Sequence, residues 1–173
     1  MSSLPQEIAA SSEQVFDHHG FAASGIDTLA HAAGVSTRTL YKHMGSKADL
    51  IAAALEARSA RFFDQLAVTD VDGLFAALEQ WVQTEGARGC FFLRAAGELS
   101  DDFPEALKVV TEYRRRLRTL VGELVNHTDP PHDDLLAEQI LVLFEGATSV
   151  ATYRGVEGIT AARAAAASLV HQS

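Results

Sequence analysis

Residues 26–50 contain the pattern of two short helices joined by a tight turn. Four apolar residues at helical spacing predict the first helix: Ile26, Leu29, Ala30 and Ala33. Gly34 can take the left-handed backbone conformation that ends a helix, and Val35 can pack into the turn. Ser36 can then accept a hydrogen bond from the free amides of the second helix. This stretch therefore predicts a helix-turn-helix.

The second helix of this pair has one apolar position and a polar outer face. Ala30 is small where the two helices would cross, and Leu40 is apolar where the second helix must face the core. The outward side chains can all form hydrogen bonds, and none is acidic: Thr37, Arg38, Thr39, Tyr41, Lys42 and His43. Such a face is suited to DNA.

The pattern resembles the amino-terminal domain of the TetR family of bacterial transcriptional regulators. The residues that carry the resemblance are Leu29-Ala30, Ala33-Gly34-Val35-Ser36, Thr39-Leu40-Tyr41, His43, Ser46-Lys47 and Leu50. The resemblance implies an all-α fold, with a helix-turn-helix DNA-binding domain at residues 1–46 and a helical ligand-binding and dimerisation domain at residues 47–173. Met44 stands where the family usually has an aromatic residue. Gly25 stands where a hydroxyl residue commonly opens the second helix, which removes a possible side-chain contact to phosphate.

The resemblance also implies a function and a set of contacts. We expect a repressor that binds an operator in double-stranded DNA and is released by a small-molecule effector, with no cofactor and no metal. Thr37, Arg38 and Lys42 would contact base edges in the major groove. Phosphate contacts would come from Ser36, Thr39, Tyr41, His43 and Lys47.

The charge distribution bears on this DNA hypothesis. The net charge is −9, and the first 37 residues contain no Lys or Arg. From Ser36 to Lys47, however, there are three basic residues and no acidic one. Because counterion release from phosphate depends on Lys and Arg, the sequence predicts modest affinity and a shallow dependence on salt.

Length and composition are those of a globular protein. The 173 residues are 47 % hydrophobic, enough to bury a core. We expect a cytoplasmic protein, because no apolar run approaches the roughly 20 residues of a membrane span and the amino terminus lacks a secretory pattern. Cys90 is the only cysteine, which excludes an intramolecular disulfide. It is interpreted as a small buried apolar residue, with a redox switch as the alternative.

Periodicity and capping signals predict helices along the rest of the chain, without strand alternation. Capping residues mark three of the predicted helices: Ser3 precedes a helix over residues 4–19, Ser46 caps one that runs to about Leu66, and Asp102 caps one that runs to about Asn126. The other predicted helices run from Val71 to about Gly86, from Cys90 to Leu99, from Leu135 to Ala151 and from Ile159 to Val170. Asp129-Pro130-Pro131 is predicted to break the chain.

Aromatic residues in the second half could line an apolar ligand cavity, although aromatics at helical spacing more often form the core. The candidate ligand-binding residues are Trp81, Phe91, Tyr113, Arg114 and Phe144. Arg114 lies between Val110 and Leu117 on an apolar stripe, where it would need a buried partner or an anionic ligand. The run Arg114–Arg118 is alternatively a solvated face.

The last two predicted helices have more apolar surface than one face needs, and alanine dominates the final one. We expect a homodimer through these two helices, with a monomer that buries both as the alternative. An enzyme is not expected, because no Glu-x-x-His, phosphate-binding glycine loop or nucleophile motif occurs. The remaining alternative is a ligand-sensing or interaction protein with weakened DNA binding, as the basic-poor first helix and Gly25 would allow.

Overall fold

The computed structural model describes residues 3–126 and 134–172, and every regular element in these ranges is an α-helix. The predicted all-α fold is confirmed. The helices are α1 (Leu4–His19), α2 (Ile26–Ala32), α3 (Thr37–Met44), α4 (Lys47–Gln65), α5 (Val71–Glu85), α6 (Phe91–Glu98), α7 (Pro104–Asn126), α8 (Asp134–Arg154) and α9 (Val156–Gln172).

The predicted helix starts lie within one residue of the structure except at α9, which begins at Val156, three residues before the predicted Ile159. Ser3 and Gln6 form a capping box at the start of α1, and Ser46 and Asp49 exchange cap hydrogen bonds at the start of α4. The prediction that Asp102 caps α7 is wrong by one residue, because the helix begins at Pro104. Asp102 instead accepts a hydrogen bond from the Ser100 hydroxyl at 3.1 Å. The predicted break at residues 129–131 lies outside the described residues.

The chain forms two compact units. The first contains the described residues up to Arg61 together with Phe91–Tyr113, and the second contains Phe62–Cys90 together with the described residues from Arg114 onward. The first unit therefore holds the whole helix-turn-helix and also α6. The functional boundary after residue 46 remains a prediction.

The core of the first unit combines apolar and charged side chains. Its fully buried apolar residues lie mainly on α1 to α4 and in the turn after α1, and they include Phe16, Phe21, Leu29, Leu40 and Leu50. Phe16 stacks on Phe21 with ring centroids 5.1 Å apart. Ala30 and Leu40 are both buried, as the helix-turn-helix pattern predicts.

The core of the second unit is aromatic and aliphatic. Phe62 packs edge-on against Trp81 at 5.1 Å and against Phe144 at 6.4 Å, and Phe75 packs edge-on against Phe144 at 6.1 Å. Helices α8 and α9 approach closely at Gly158, where a Cβ atom would lie 2.6 Å from Val150 Cγ1. The glycine hydrogen thus permits the α8–α9 packing.

Helix α8 is the most apolar long helix in the described part of the chain. Contrary to the expectation above, it is long and apolar enough to cross a membrane by length and composition. This is a weak indication, because helices in protein cores and subunit interfaces share that composition. Leu135, Val142 and Tyr153 are large apolar side chains on α8 that are more than half exposed.

Candidate nucleic-acid interface

The turn between α2 and α3 has the predicted geometry. Gly34 has a φ of +65°, in the left-handed region that favours glycine. The Gly34 amide donates to the His31 carbonyl at 3.0 Å, and the Val35 amide donates to the Ala30 carbonyl at 3.0 Å. These bonds satisfy carbonyls at the end of α2 and set the direction of α3.

The amino terminus of α3 is held by a pair of hydroxyl residues. The Ser36 hydroxyl accepts a hydrogen bond from the Thr39 amide at 3.1 Å, which confirms Ser36 as the cap. The Ser36 and Thr39 hydroxyl oxygens also lie 2.9 Å apart and share a hydrogen bond. Both side chains were predicted to contact phosphate, and both are engaged with each other here.

The outer face of α3 carries the residues predicted from the sequence. Leu40 is fully buried and orients the helix. Arg38, Lys42 and His43 are exposed, and Tyr41 is 48 % exposed. Thr37 and Thr39 are half-buried at the edge of this face. Their roles in DNA binding remain predictions.

Lys47 begins α4, outside α3. Its Nζ donates to the Ala22 carbonyl at 3.5 Å, a long and therefore weak hydrogen bond that a phosphate oxygen could replace. Partial burial lowers the pKa of Lys47, and the negative charge of Glu98 opposes that shift.

Helix α6 holds the turn between α1 and α2. The Glu98 carboxylate accepts hydrogen bonds from the amides of Phe21 at 2.6 Å and Ala22 at 3.1 Å. One turn earlier, the Arg94 guanidinium donates to the carbonyls of Asp17 at 2.9 Å and Phe16 at 3.1 Å. The Arg94 cation therefore contacts the carbonyls at the carboxyl end of α1, and the Glu98 anion contacts the free amides that follow this helix.

A buried ion-pair network lies beneath α1. Arg58 Nε lies 2.5 Å from the Glu13 carboxylate, and the Arg58 guanidinium also lies 3.2 Å from Asp17. Arg61 contacts Glu13 at 2.6 Å. Because all of these groups belong to the first unit, the network joins α1 and α4 beneath the helix-turn-helix.

Sequence reasoning missed both the network and the α6 contacts. Glu13 and Asp17 are four residues apart on α1, as are Arg94 and Glu98 on α6, so each pair lies on one helix face. That spacing was a usable signal that these charges act together. Their partners, however, are more than 40 residues away in the chain.

The five candidate ligand-binding residues are divided between the two units. In the first unit, Phe91 packs against Phe21 at 4.8 Å, and Tyr113 stacks on Phe92 at 3.6 Å. In the second unit, Trp81 and Phe144 each pack against Phe62. These four residues are buried in aromatic clusters.

Arg114 departs from its predicted setting. The apolar stripe of α7 passes through Tyr113, and Arg114 is exposed, so it does not need the buried partner that a stripe position would require. Its positive charge acts on Glu145 in the second unit. Burial raises the pKa of Glu145, and the Arg114 charge and a hydrogen bond from the Cys90 thiol oppose the shift. Cys90 is buried, as the interpretation of it as a small apolar residue predicts.

The second unit also contains an apolar pocket of about 250 Å³ between α5 and α9. Val71, Ala167 and Val170 line it together with the ion pair between Asp72 and Arg163. The Arg163 hydrogen bond lowers the pKa of Asp72.

Residues 8–54 match the family model described as "Bacterial regulatory proteins, tetR family". The comparison with curated proteins returned no match.

Solved structures of similar fold span nearly the whole chain. A TetR transcriptional regulator from Chloroflexus aurantiacus J-10-FL has 22 % identity and a TM-score of 0.82, with 98 % of this chain and 95 % of that chain covered. A TetR transcriptional regulator from Legionella pneumophila has 18 % identity and a TM-score of 0.80, with 97 % of each chain covered. A TetR transcription regulator from Haloarcula marismortui ATCC 43049 has 21 % identity and a TM-score of 0.73, with 99 % and 98 % covered. At these identities the likeness establishes the fold.

Proposed function

We propose that this chain, which belongs to the TetR family of DNA-binding transcriptional regulators, is a homodimeric repressor that a small-molecule effector releases from its operator. The observation that carries the DNA-binding part is the outer face of α3. Its exposed side chains can form hydrogen bonds, and none of them is acidic. The capped amino terminus and the left-handed Gly34 turn support the same role. Residues 1–46 act on DNA, and residues 47–173 bind the effector and the second subunit.

The roles of the DNA-contacting residues follow from exposure and chemistry. Arg38 and Lys42 meet base edges, with Thr37 beside them. Phosphate oxygens are held by the hydroxyl, phenol, imidazole and ammonium groups of Ser36, Thr39, Tyr41, His43 and Lys47. Because only three of these residues are Lys or Arg, each subunit neutralises few phosphates, and the slope of log K against log salt is shallow.

The dimer interface is proposed on α8 and α9. The exposed apolar side chains of α8 and the exposed alanines of α9, such as Ala161 and Ala165, would be covered by the second subunit. A two-fold axis there would place two copies of α3 about one DNA turn, or a multiple of it, apart. Val142→Arg puts a charge on the exposed face of α8 and should convert the dimer to a monomer in sedimentation. Leu93→Arg, on the exposed face of α6, is the control that should leave the dimer intact.

Effector release is proposed as a population shift. An effector lowers the affinity for DNA only to the extent that it binds the conformation that cannot bind DNA more tightly than the conformation that can. The candidate contacts remain Trp81, Arg114 and Phe144 in the second unit, with Phe91 and Tyr113 in the first.

The experiment that tests this function selects DNA from a random pool with the purified dimer and measures its affinity by fluorescence anisotropy. A selected site with two-fold symmetry that resists random competitor DNA is the expected result. Equal affinity for selected and random DNA would contradict operator binding.

One observation favours a second candidate function. The backbone of Gly25 caps α2 without a side-chain hydrogen bond, so a hydroxyl that could reach phosphate is missing at this position. Because no Lys or Arg precedes Arg38, the helix-turn-helix would then have too low an affinity for DNA, and the chain would be a ligand-sensing or interaction protein. Absence of a selected site at low salt would favour this candidate.

A further inference from the structure

The outer face of α3 presents two strong hydrogen-bond donors on the same side of the helix. Arg38 and Lys42 are four residues apart and both exposed, so they lie on one face. Arg can donate two parallel hydrogen bonds, and Lys donates as a point charge. In the major groove, the base edge that offers two adjacent acceptors is guanine, through O6 and N7.

The same region lacks the amide side chains that recognise adenine and the carboxylates that recognise cytosine. No Asn or Gln occurs between Gln14 and Gln65, so the amide pair that matches the N6 and N7 atoms of adenine is missing. No Asp or Glu occurs between Asp27 and Asp49, so no carboxylate can accept from the N4 amino group of cytosine. This deficit leaves guanine as the base that the face can read most strongly.

The serine and threonine hydroxyls at the start of α3 do not change this balance. Ser36 and Thr39 share a hydrogen bond, and Ser36 also caps the helix, which leaves them less free to read a base. Thr37 is half-buried, and a hydroxyl accepts and donates, so it discriminates weakly among bases.

We infer that each operator half-site contains two guanines, read through O6 and N7 by Arg38 and Lys42. This inference rests on the proposed function, since it names the sequence that the proposed DNA site prefers. Four residues of α-helix rise about 6 Å. Base pairs are spaced by about 3.4 Å along the duplex, so a helix lying along the groove places the two guanines about two base pairs apart.

The test begins with the site selected by the dimer from a random pool. Each guanine of the half-site is then replaced singly by 7-deazaguanine, which pairs normally but carries C–H in place of N7. We expect binding to weaken about tenfold at the two guanines that Arg38 and Lys42 read. Inosine at the same positions keeps O6 and N7 and removes only the minor-groove amino group. It is the matched control and should bind within about twofold of guanine.

Protein variants then assign each guanine to a side chain. In Arg38→Ala, the 7-deazaguanine penalty should disappear at one position and persist at the other, and Lys42→Ala should show the reverse pattern. Arg38→Lys keeps the charge and a donor but loses the rigid pair of parallel donors, so the 7-deazaguanine penalty at its position should shrink without disappearing, while the affinity for random DNA is kept. The modified bases leave the protein unchanged, so their effect does not depend on the folding of a variant.

Two results would overturn the inference while leaving operator binding intact. One is a selected half-site without guanines at the positions that Arg38→Ala and Lys42→Ala affect. The other is a 7-deazaguanine penalty below twofold at every guanine. If the wild-type dimer selects no site at all, the proposed function itself fails, and this inference fails with it.

Discussion

The two units of the molecule are built from different interiors. Six polar or charged residues are buried in the described part of the chain, and all six lie in the first unit: Ser12, Glu13, Asp17, Ser24, Arg58 and Ser59. The described residues of the second unit bury only apolar side chains to that extent, and their ion pairs, such as Arg118 with Glu138, are exposed.

This difference matters because the two kinds of interior tolerate change differently. A buried charge network is stable only when every group finds its partner, so few arrangements of its helices are allowed. Apolar packing is not directional and can be satisfied by several side-chain arrangements. The first unit is therefore suited to presenting α3 in one fixed pose, and the interior of the second leaves more freedom for the effector binding proposed above.

The largest effect should come from breaking the charged interior. Arg58→Ala leaves Glu13 and Asp17 without their shared buried cation and should lower the free energy of unfolding by about 3–5 kcal/mol. Arg61→Ala removes a partly exposed partner of Glu13 and should cost far less. Urea denaturation checks both variants. Equal costs for the two would mean that the network does not define the first unit.

A smaller effect is expected from the apolar interior. Phe144→Leu removes two edge-to-face contacts in the second unit and should cost about 1–3 kcal/mol, because each contact contributes about 0.5–1.5 kcal/mol. Its affinity for random DNA should stay at the wild-type value, whereas that of Arg58→Ala should fall. Anisotropy with one random duplex distinguishes the variants, and a fall for Phe144→Leu would argue against the contrast between the units.

The cap of α3 should have an effect of about 1 kcal/mol. Ser36→Ala removes the acceptor for the Thr39 amide and should destabilise the first unit by about that amount. Ser168→Ala is the control: it removes an exposed hydroxyl that donates a hydrogen bond within α9. It should change the free energy of unfolding by less than about 0.5 kcal/mol. Amide hydrogen exchange should quicken in α3 only for Ser36→Ala. Unchanged exchange there would contradict the role of the cap.

The smallest effect concerns Glu145, the half-buried acid of the second unit. Burial raises its pKa in the folded state, so the folded protein binds the proton more tightly than the unfolded chain. Its contribution to stability therefore falls as the pH rises from the usual glutamate range, about 4.3, through the raised value. At pH 7, Glu145→Gln should raise the free energy of unfolding by less than about 1 kcal/mol, and the melting temperature slightly with it, and near pH 4 it should have no effect. A lower melting temperature at pH 7 would contradict this account.

The sequence predicted the first unit better than the second because its signals there are local. Gly34 as a left-handed turn, Ser36 as a cap and Leu40 as the buried position each depend on neighbours within a few residues. The support from Arg58 and Glu98 was missed because their partners are far away in the chain, and only the folded protein brings them together.

In the second unit, periodicity predicted the helices but not which side chains face which neighbours. Arg114 illustrates the limit. Its spacing from Val110 and Leu117 fits an apolar stripe, yet Tyr113, one residue earlier, takes the buried position. A shift of one residue turns a helical side chain by about 100°, which is enough to move it from the core to the surface.

The central claim is that α3 reads DNA sequence through its exposed face while Lys47 holds the backbone. The most direct measurement compares the affinities of Arg38→Ala and Lys47→Ala for the selected operator and for a scrambled duplex of the same composition. Arg38→Ala should lose about 5- to 150-fold on the operator and little on the scrambled duplex, whereas Lys47→Ala should weaken both alike. If both variants lose the same factor on both duplexes, the face of α3 does not read sequence, and the account is wrong.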